Sequence, residues 1–450
     1  MSKDTRRKRK FDYFWEEIFE TYDVINKIDM HNTFRISTDT IKEHKGEPRL
    51  LVKFDHRNNR PYIFNDNDIS ILPDSRYGYI LGKFDLYADL DYQFKNSNPE
   101  DDKTKIVSMP YYIESIKFDN LTSEAISLHA AQISGILEDF LSENILQTVS
   151  GRTSTKKMSF EVGTMDGEII NFQVDGSQIE IDGGYESLQH LALVEAKQHF
   201  ASDFLIRQLY YPFRTFYDRG LNKKIRNIYM TYSNDMFTLF EYVFTNPLKY
   251  NSLKIVKRKS YVINFEGIAF RDILHAHRNV EFVEEPTKDI VPFPQADTFE
   301  RVIDFLTILL EKDLTFDEMT GLYDFDPRQS DYYKNSAKYL DLIDEFINEQ
   351  GEKTFTLNEK GKRIMESDPK TKYIEIIKLI FSHKPFHETF TRHLLKNSKD
   401  FRKVKLSNIE VGSIISKYFL GYNDTTYNRR GGTVKGWIRW MIRITEKYNH

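Results

Sequence analysis

The sequence predicts a multidomain α+β and α/β protein, in which a central mixed β-sheet is joined to an α+β N-terminal domain and a helical C-terminal part. Three observations lead to this fold class. The chain has 450 residues, more than one ordinary core holds. Strand-like alternation concentrates between residues 158 and 244, and beyond residue 295 the apolar spacing becomes helical.

Composition narrows the class of protein further. Hydrophobic residues make up 40% and aromatic residues 14% of the chain, which is enough for packed cores and excludes global disorder. The chain has no cysteine, so it forms neither disulfides nor thiolate zinc sites, in agreement with a reducing cytoplasm. It has no apolar run of about 18 residues, and its charged start does not look like a secretory signal. We therefore expect a cytoplasmic protein with no membrane partner.

Residues 1–117 predict an α+β domain. Six Lys or Arg residues between positions 3 and 10 form a basic arm, which either follows a phosphate backbone or is a solvated tail. The loop at residues 56–60 is open to two interpretations, contact with DNA bases or phosphates, or an ordinary polar loop. The expected elements are a helix over residues 11–30 and strands at residues 49–54 and 79–87.

The stretch 178–197 organises the chain. Ile179 and Ile181 alternate with polar residues, the period of a half-buried strand. Gly183-Gly184 then breaks the pattern, and residues 191–194 are uniformly apolar, as in a strand that is buried on both faces. The sequence therefore predicts two strands of one sheet.

Polar chemistry follows the second of these strands. Side chains two apart on a strand share a face, so Glu195 and Lys197 are expected to point the same way. If the two strands are neighbours, Asp182 joins them. Two carboxylates and the Ala196 carbonyl are ligands that suit Mg²⁺, and an ammonium can steady developing negative charge. A surface ion pair at a strand end is the alternative.

The elements around this stretch complete a central domain at residues 118–290. Ser123 is expected to cap a helix, on which Glu138 is the candidate for a further carboxylate. Asp175-Gly176 predicts a tight hairpin into the Gln178 strand. The other expected elements are a helix over residues 123–146, two strands within residues 158–174, a helix from Ser202 to Asp218 that kinks at Pro212 and ends at Gly220, and strands near residues 225–232 and 237–244.

These residues resemble the PD-(D/E)XK nuclease superfamily, and more closely its type II restriction endonucleases. The matching motifs are IDGG at residues 181–184 and VEAK at residues 194–197, with RQLYYPFR at 207–214 and SGRTS at 150–154 as weaker matches. Ile181 replaces the proline of the family motif, a tolerated departure.

The resemblance implies a mixed-sheet nuclease core and a site with defined roles. Asp182, Glu195 and the Ala196 carbonyl would bind Mg²⁺, for which Mn²⁺ would substitute. Lys197 would assist the attacking water, and Gln208 would hold Lys197 or a phosphate.

The C-terminal part is expected to begin after a proline-rich linker at residues 284–294. It divides into a domain at 291–370 that resembles a winged helix, with a wing strand at 354–361, and a second such domain at 371–450. A plain helical packing domain is the alternative. Asp326-Pro327 opens the third helix of the first domain, which would enter a major groove. Its candidate DNA contacts are Arg328, Gln329, Tyr332 and Lys334.

Positive charge concentrates in the last domain, although the chain carries a net charge of −4. The segment from residue 400 to residue 443 contains nine Lys or Arg residues and three acidic residues. The segment 428–433 is predicted to start a helix and, with Arg429, Arg430 and Lys435, to bind phosphate. Trp437 and Trp440 are predicted to lie in the core.

The leading hypothesis is a type II restriction-type endonuclease that hydrolyses double-stranded DNA at a specific sequence with Mg²⁺. Two alternatives stay open: a non-cleaving DNA-binding regulator on a nuclease-like scaffold, and a nuclease for modified or branched DNA. Cleavage of both strands at a symmetric site favours a homodimer. A cognate DNA methyltransferase is the partner that such a system would have.

Overall fold

The computed structural model describes residues 8–119, 121–264, 267–322, 327–396 and 404–447, without the side chains of residues 321–322, 327–328 and 446–447. Within these ranges, no helix is both long enough and apolar enough to cross a membrane. The basic arm and Asp326 lie partly or wholly outside the described residues, as does the Arg328 side chain.

The N-terminal module is an antiparallel three-stranded sheet covered by short helices. Trp15 lies at its centre, fully buried, with its ring 4.9 Å from that of Phe64. The predicted strand at residues 49–54 is wrong, because Pro48 begins a short helix there. The elements are α1 (Lys10–Tyr22), α2 (Val24–His31), β1 (Thr33–Ser37), α3 (Thr38–Glu43), α4 (Pro48–Leu51), a 3₁₀ turn (Arg57–Asn59), α5 (Tyr62–Asp66), β2 (Ser70–Ser75) and β3 (Gly78–Gly82).

The central module is built on a seven-stranded mixed sheet with the order β5-β14-β13-β12-β10-β9-β6. β4 and β11 form a separate small sheet, and so do β7 and β8. The elements are β4 (Tyr87–Asp89), a 3₁₀ turn (Pro99–Asp102), β5 (Lys105–Val107), α6 (Glu124–Ile133), α7 (Ile136–Leu141), β6 (Leu146–Ser154), β7 (Met158–Gly163), β8 (Ile169–Val174), β9 (Gln178–Glu186), β10 (His190–Lys197), β11 (Asp203–Leu205), α8 (Arg207–Tyr217), β12 (Lys224–Ser233), β13 (Met236–Phe244), a 3₁₀ turn (Tyr250–Ser252) and β14 (Leu253–Ile263).

The middle of this sheet consists of β9, β10 and β12. β10 pairs antiparallel with β9 and parallel with β12, and its apolar residues alternate between the two cores on opposite faces of the sheet. Leu191 and Leu193 pack on the side of α8, whereas Ala192 and Val194 pack on the side of α6 and α7. Burial on both faces explains the uniformly apolar run, so this prediction is confirmed.

Several predictions around the sheet need correction. The chain turns at Gly176, but β8 and β9 belong to different sheets, so the predicted hairpin is not formed. β9 pairs instead with β10 on one side and, on the other, with β6, which contains the SGRTS segment. The helix predicted over 123–146 is divided by Gly135, which has a left-handed φ of 75°. Ser202 does not cap α8, because β11 lies between them.

The C-terminal module is mostly helical and carries a three-stranded sheet of order β15-β17-β16. Its elements are α9 (Phe270–Arg278), α10 (Phe299–Glu311), β15 (Leu314–Thr315), α11 (Phe316–Leu322), α12 (Pro327–Tyr339), β16 (Ile343–Ile347), β17 (Lys353–Leu357), α13 (Glu359–Met365), α14 (Pro369–Ser382), α15 (Lys384–Lys396), α16 (Asn408–Tyr418) and α17 (Asp424–Lys447).

One hydrophobic core runs through this whole module. It joins α9 and α10 to α14 and α17 and includes Trp437 and Trp440, so both tryptophans are core residues as predicted. The boundary drawn at residues 370/371 therefore does not separate two cores. The proline-rich segment is also packed rather than free, because Phe293 is fully buried and Glu285 accepts a hydrogen bond from the Tyr339 hydroxyl at 2.5 Å.

Candidate active site

Asp182 lies at a β-bulge in β9. In the pairing of β9 with β6, Val149 is opposite Gly184 and Gly151 is opposite Ile181. The register therefore shifts between these two pairs, and β9 has one extra residue beside Asp182. Such bulges redirect side chains and occur often next to active sites. Asp182 accepts a hydrogen bond from the Ala196 main-chain nitrogen at 2.8 Å, which ties it to the end of β10.

The glycine pair after Asp182 lies inside β9 rather than ending it, which corrects the predicted break. A Cβ on Gly183 would come within 2.9 Å of the Leu128 side chain, and one on Gly184 within 2.8 Å of Val149 Cβ. These two positions therefore let α6 and β6 approach the strand closely.

Glu195 and Lys197 point the same way, as their spacing predicted. The Lys197 ammonium lies 2.7 Å from Glu195 Oε1, and the two residues are only 7% and 8% exposed. Gln208, on α8, donates to the same oxygen at 2.7 Å. The structure therefore places Gln208 against Glu195, whereas the sequence assigned it to Lys197 or to a phosphate.

Buried negative charge dominates the electrostatics of this cluster. Burial raises the pKa of Glu195 to about 8, and Asp182 and Glu124 add to the rise while Lys197 opposes it. Burial alone would lower the pKa of Lys197, but the surrounding carboxylates raise it well above its ordinary value. Lys197 is therefore an ammonium that can donate hydrogen bonds but cannot serve as a base.

The helical carboxylate of the cluster is Glu124, not Glu138. Glu124 is the first residue of α6, where Ser123 caps the helix as predicted by accepting from the Ile126 nitrogen at 3.2 Å. The Glu124 carboxylate lies 3.6 Å from Lys197 Nζ. Glu138 lies one helix later, on α7, and its pKa is raised by its own burial rather than by the cluster.

A cleft of about 400 Å³ opens over Lys197 and is lined by all three modules. The N-terminal module contributes Lys53 and Asp55, and the C-terminal module contributes Thr307 and Glu311 of α10. The remaining lining residues, from the N-terminal and central modules and from α10, are His56, Thr122, Ser123, Glu124, Ala125, Gln198, His199 and Ile308.

The carboxylate and carbonyl oxygens of this cluster are the type of ligand that a hard divalent cation binds. Glu195 at 2.7 Å and Glu124 at 3.6 Å flank the Lys197 ammonium, the Asp182 charge also helps to raise the pKa of Lys197, and the Ala196 carbonyl adds a neutral oxygen 3.2 Å from Lys197 Nζ. Mg²⁺ is usually held by one or two carboxylates together with water and substrate phosphates. Among the described residues, no group of three or more histidine, aspartate or glutamate side chains is placed so that it could hold a metal ion.

Three family models match the chain. Each is described as a domain of unknown function: DUF6996 matches residues 12–81, DUF6997 residues 82–262 and DUF7226 residues 301–446. No curated protein and no solved structure matches. The Asp182–Glu195–Lys197 cluster falls within the DUF6997 match, and the cleft above it is shared by all three matched segments.

The predicted DNA contacts on α12 are only partly available. Gln329 is exposed, and Tyr332 is half-buried against the C-terminal core. Lys334 is paired with Asp331 at 2.7 Å and is largely buried, so its charge is neutralised within the helix. The Arg328 side chain lies outside the described residues.

The predicted phosphate site at residues 428–433 needs correction. These residues lie inside α17, which begins at Asp424, so their main-chain amides belong to the helix. Arg430 is 4% exposed, whereas Arg429 is exposed. Lys435 is half-buried and donates to the Leu406 carbonyl at 3.2 Å. Of the three predicted cations, only Arg429 is well placed to meet a phosphate.

The loop at residues 56–60 is packed into the protein rather than lying open on its surface. His56, Asn59 and Arg60 are buried, and Arg57 is paired with Asp203 at 3.0 Å. The part of the basic arm that the structure describes is also packed into the protein, because Arg9 is fully buried and forms an ion pair with Asp12.

Sequence reasoning missed Glu124 and Asp55. Glu124 carried a detectable signal, because it directly follows the predicted helix cap Ser123. Asp55 carried none, since only the packing of the N-terminal module on the sheet brings it into the cleft.

Proposed function

We propose that this protein is a Mg²⁺-dependent endonuclease of the PD-(D/E)XK type, acting on double-stranded DNA at a specific sequence as type II restriction enzymes do. One observation carries the proposal. Asp182, in the middle of β9, meets Glu195 and Lys197 at the end of the neighbouring β10, held by the Ala196–Asp182 and Lys197–Glu195 contacts of 2.8 and 2.7 Å.

The topology around the cluster supports the same proposal. Helices α6 and α7 precede three antiparallel strands, β6, β9 and β10, and α8 then leads to β12, which is parallel to β10. This is the order that the resemblance implies for a nuclease core.

The chemistry follows from the groups present. Asp182, Glu195 and the Ala196 carbonyl would hold the cation, which when bound supplies charge neutralisation at the phosphate and a more acidic water. Lys197 would donate a hydrogen bond to a phosphate oxygen and so stabilise the negative charge that develops on it. Gln208 fixes the orientation of the Glu195 carboxylate by donating a hydrogen bond to Oε1 at 2.7 Å.

DNA binding is assigned to the flanking modules. From α10 to β17 the C-terminal module has the element order helix, strand, helix, helix, strand, strand, which is that of a winged helix, with α12 in the recognition position. Exposed Gln329 and Arg429 are the contacts that we retain from this region. A homodimer and a cognate methyltransferase remain part of the proposal.

The test is incubation of the full chain with unmethylated plasmid DNA and Mg²⁺, with EDTA as the control. We expect cleavage that EDTA abolishes and that Asp182→Asn loses. Calorimetry with Mg²⁺ should show weakened binding in Asp182→Asn, whereas Glu180→Gln, on the same strand but paired with Arg152 at 3.4 Å, should behave as wild type. DNA binding without cleavage of any plasmid would favour a regulator. Cleavage only of modified DNA would favour the other alternative.

A further inference from the structure

The N-terminal module reaches the candidate active site through one short segment, residues 53–57. Asp55 lies in this segment and lines the cleft together with Lys197 and Glu124. Its side chain is only 14% exposed, and its Oδ2 lies 3.7 Å from Lys53 Nζ. A carboxylate from outside the central module thus lines the same cleft as Lys197.

Hydrogen bonds hold this segment on the central module. The Asp55 carbonyl accepts from the Leu205 nitrogen at 2.9 Å. His56 Nδ1 donates to the Asp203 carbonyl at 2.7 Å, and Arg57 binds the Asp203 carboxylate. None of these contacts uses the Asp55 carboxylate, so the side chain can be changed without removing the anchors.

A histidine pair extends the same attachment to the chain just after Lys197. The carbonyl of Asp203 only accepts, so Nδ1 of His56 carries a hydrogen, and its Nε2 lies 3.1 Å from Nε2 of His199. Both rings are buried. His199 follows Lys197 by two residues, so this contact joins the segment that carries Asp55 to the segment that carries the lysine.

Asp55 and Lys197, which line the same cleft, each stabilise the charged form of the other. Burial raises the pKa of Asp55, but the positive charges of Lys197 and Lys53 outweigh it and bring the pKa below its ordinary value. Asp55 is therefore a carboxylate at neutral pH. The Lys197 ammonium in turn has Glu195 at 2.7 Å, Glu124 at 3.6 Å and the Asp55 charge nearby.

We infer that Asp55 is a positioning residue for Lys197, supplied by the N-terminal module, and this inference rests on the proposed nuclease function. A cation held by Glu195 and Asp182 would compete with Lys197 for the Glu195 carboxylate. Asp55, which lines the same cleft, would then hold the ammonium there. The central module alone therefore has an incomplete site.

The test is single-turnover cleavage with the full chain in excess over supercoiled plasmid and Mg²⁺. The amplitude reports the fraction of correctly folded enzyme, and the rate constant reports the chemistry. For Asp55→Asn we expect the rate constant to fall by ~10–100-fold, the size typical of residues that orient an active-site group, with amplitude and DNA affinity unchanged. Asp55→Glu, which keeps the charge, should recover part of the rate.

Asp89→Asn is the matched control. Asp89 pairs with Arg57 beside the same anchor but is exposed outside the cleft, so we expect the wild-type rate. A wild-type rate in Asp55→Asn, or a loss of amplitude that accounts for its whole defect, overturns the role of Asp55 while leaving the nuclease proposal in place. No Mg²⁺-dependent cleavage by the wild-type chain overturns both.

Discussion

Gln208 donates from Nε2 to Glu195 Oε1 over 2.7 Å, the same oxygen and the same distance at which the Lys197 ammonium binds. Under the proposed function, the amide would therefore still orient Glu195 if Lys197 turned toward a substrate. We predict that Gln208→Ala lowers the cleavage rate by ~10–100-fold and raises the Mg²⁺ concentration needed for half-maximal cleavage. Gln173→Ala, exposed on β8, is the control. An unchanged Mg²⁺ requirement would contradict this role.

Lys197→Ala should abolish cleavage but leave DNA binding largely intact. Under the proposed function, Lys197 would serve the reaction from a buried strand end, whereas affinity for DNA would come from many phosphate contacts elsewhere. One electrostatic donor is typically worth ~10²–10³ in rate, so retention of more than about a tenth of the wild-type rate would argue against the assignment. Gel electrophoresis of plasmid and fluorescence anisotropy measure the two quantities. Lys223→Ala, whose partner Glu186 lies at the other end of β9, should cleave normally.

Two adjacent glycines of α17 should respond in opposite directions to alanine. A Cβ on Gly431 would lie 2.6 Å from the Asn408 carbonyl oxygen, whereas one on Gly432 would meet its nearest atom at 3.8 Å. Alanine favours a helix over glycine by up to ~1 kcal/mol, so Gly432→Ala should raise the free energy of unfolding by about that amount. Gly431→Ala should lower it by ~1–3 kcal/mol through overpacking. Urea unfolding measures both free energies. Equal effects of the two changes would contradict the explanation that close packing against Asn408 requires glycine at position 431.

Tyr229→Phe should leave the free energy of unfolding unchanged or raise it by up to ~1 kcal/mol. The Tyr229 hydroxyl is fully buried, and no described group forms a hydrogen bond with it. Removing an unsatisfied polar group relieves a desolvation cost. Tyr211→Phe is the contrast, because that hydroxyl donates to the Pro73 carbonyl at 2.9 Å and its loss should cost ~1–2 kcal/mol. Thermal denaturation of both variants tests this, and a clear loss of stability in Tyr229→Phe would indicate a hidden partner.

Acid should destabilise the C-terminal module through His277. Burial, helped by the stacked ring of His387 at 3.9 Å, lowers the pKa of His277 to about 4. The unfolded chain takes up this proton near pH 6.5, so between these values it binds more protons than the folded chain and stability falls as pH falls. The loss is up to ~3 kcal/mol. His277→Phe should flatten the pH dependence measured by urea unfolding, and His275→Phe, on the exposed side of α9, should not.

Much of the central sheet was predictable because strand and helix periods are local. The strands at residues 225–232 and 237–244 were expected almost where β12 and β13 occur, and the shared direction of Glu195 and Lys197 follows from the two-residue strand repeat. Prediction failed where local signals conflicted with packing. The segment at residues 49–54 has strand-like residues but begins as a helix at Pro48, and Gly135 divides a continuous helical pattern.

By itself the sequence determined which residue types stand at the end of β10 and that two of them share a face. Only the tertiary structure decided which other charges join them, because such contacts depend on packing between distant parts of the chain. The bulge in β9 aims Asp182, the start of α6 brings Glu124 rather than Glu138, and the N-terminal module adds Asp55. Burial of Arg430 was decided in the same way, since a helix face becomes core or surface only when its neighbours are in place.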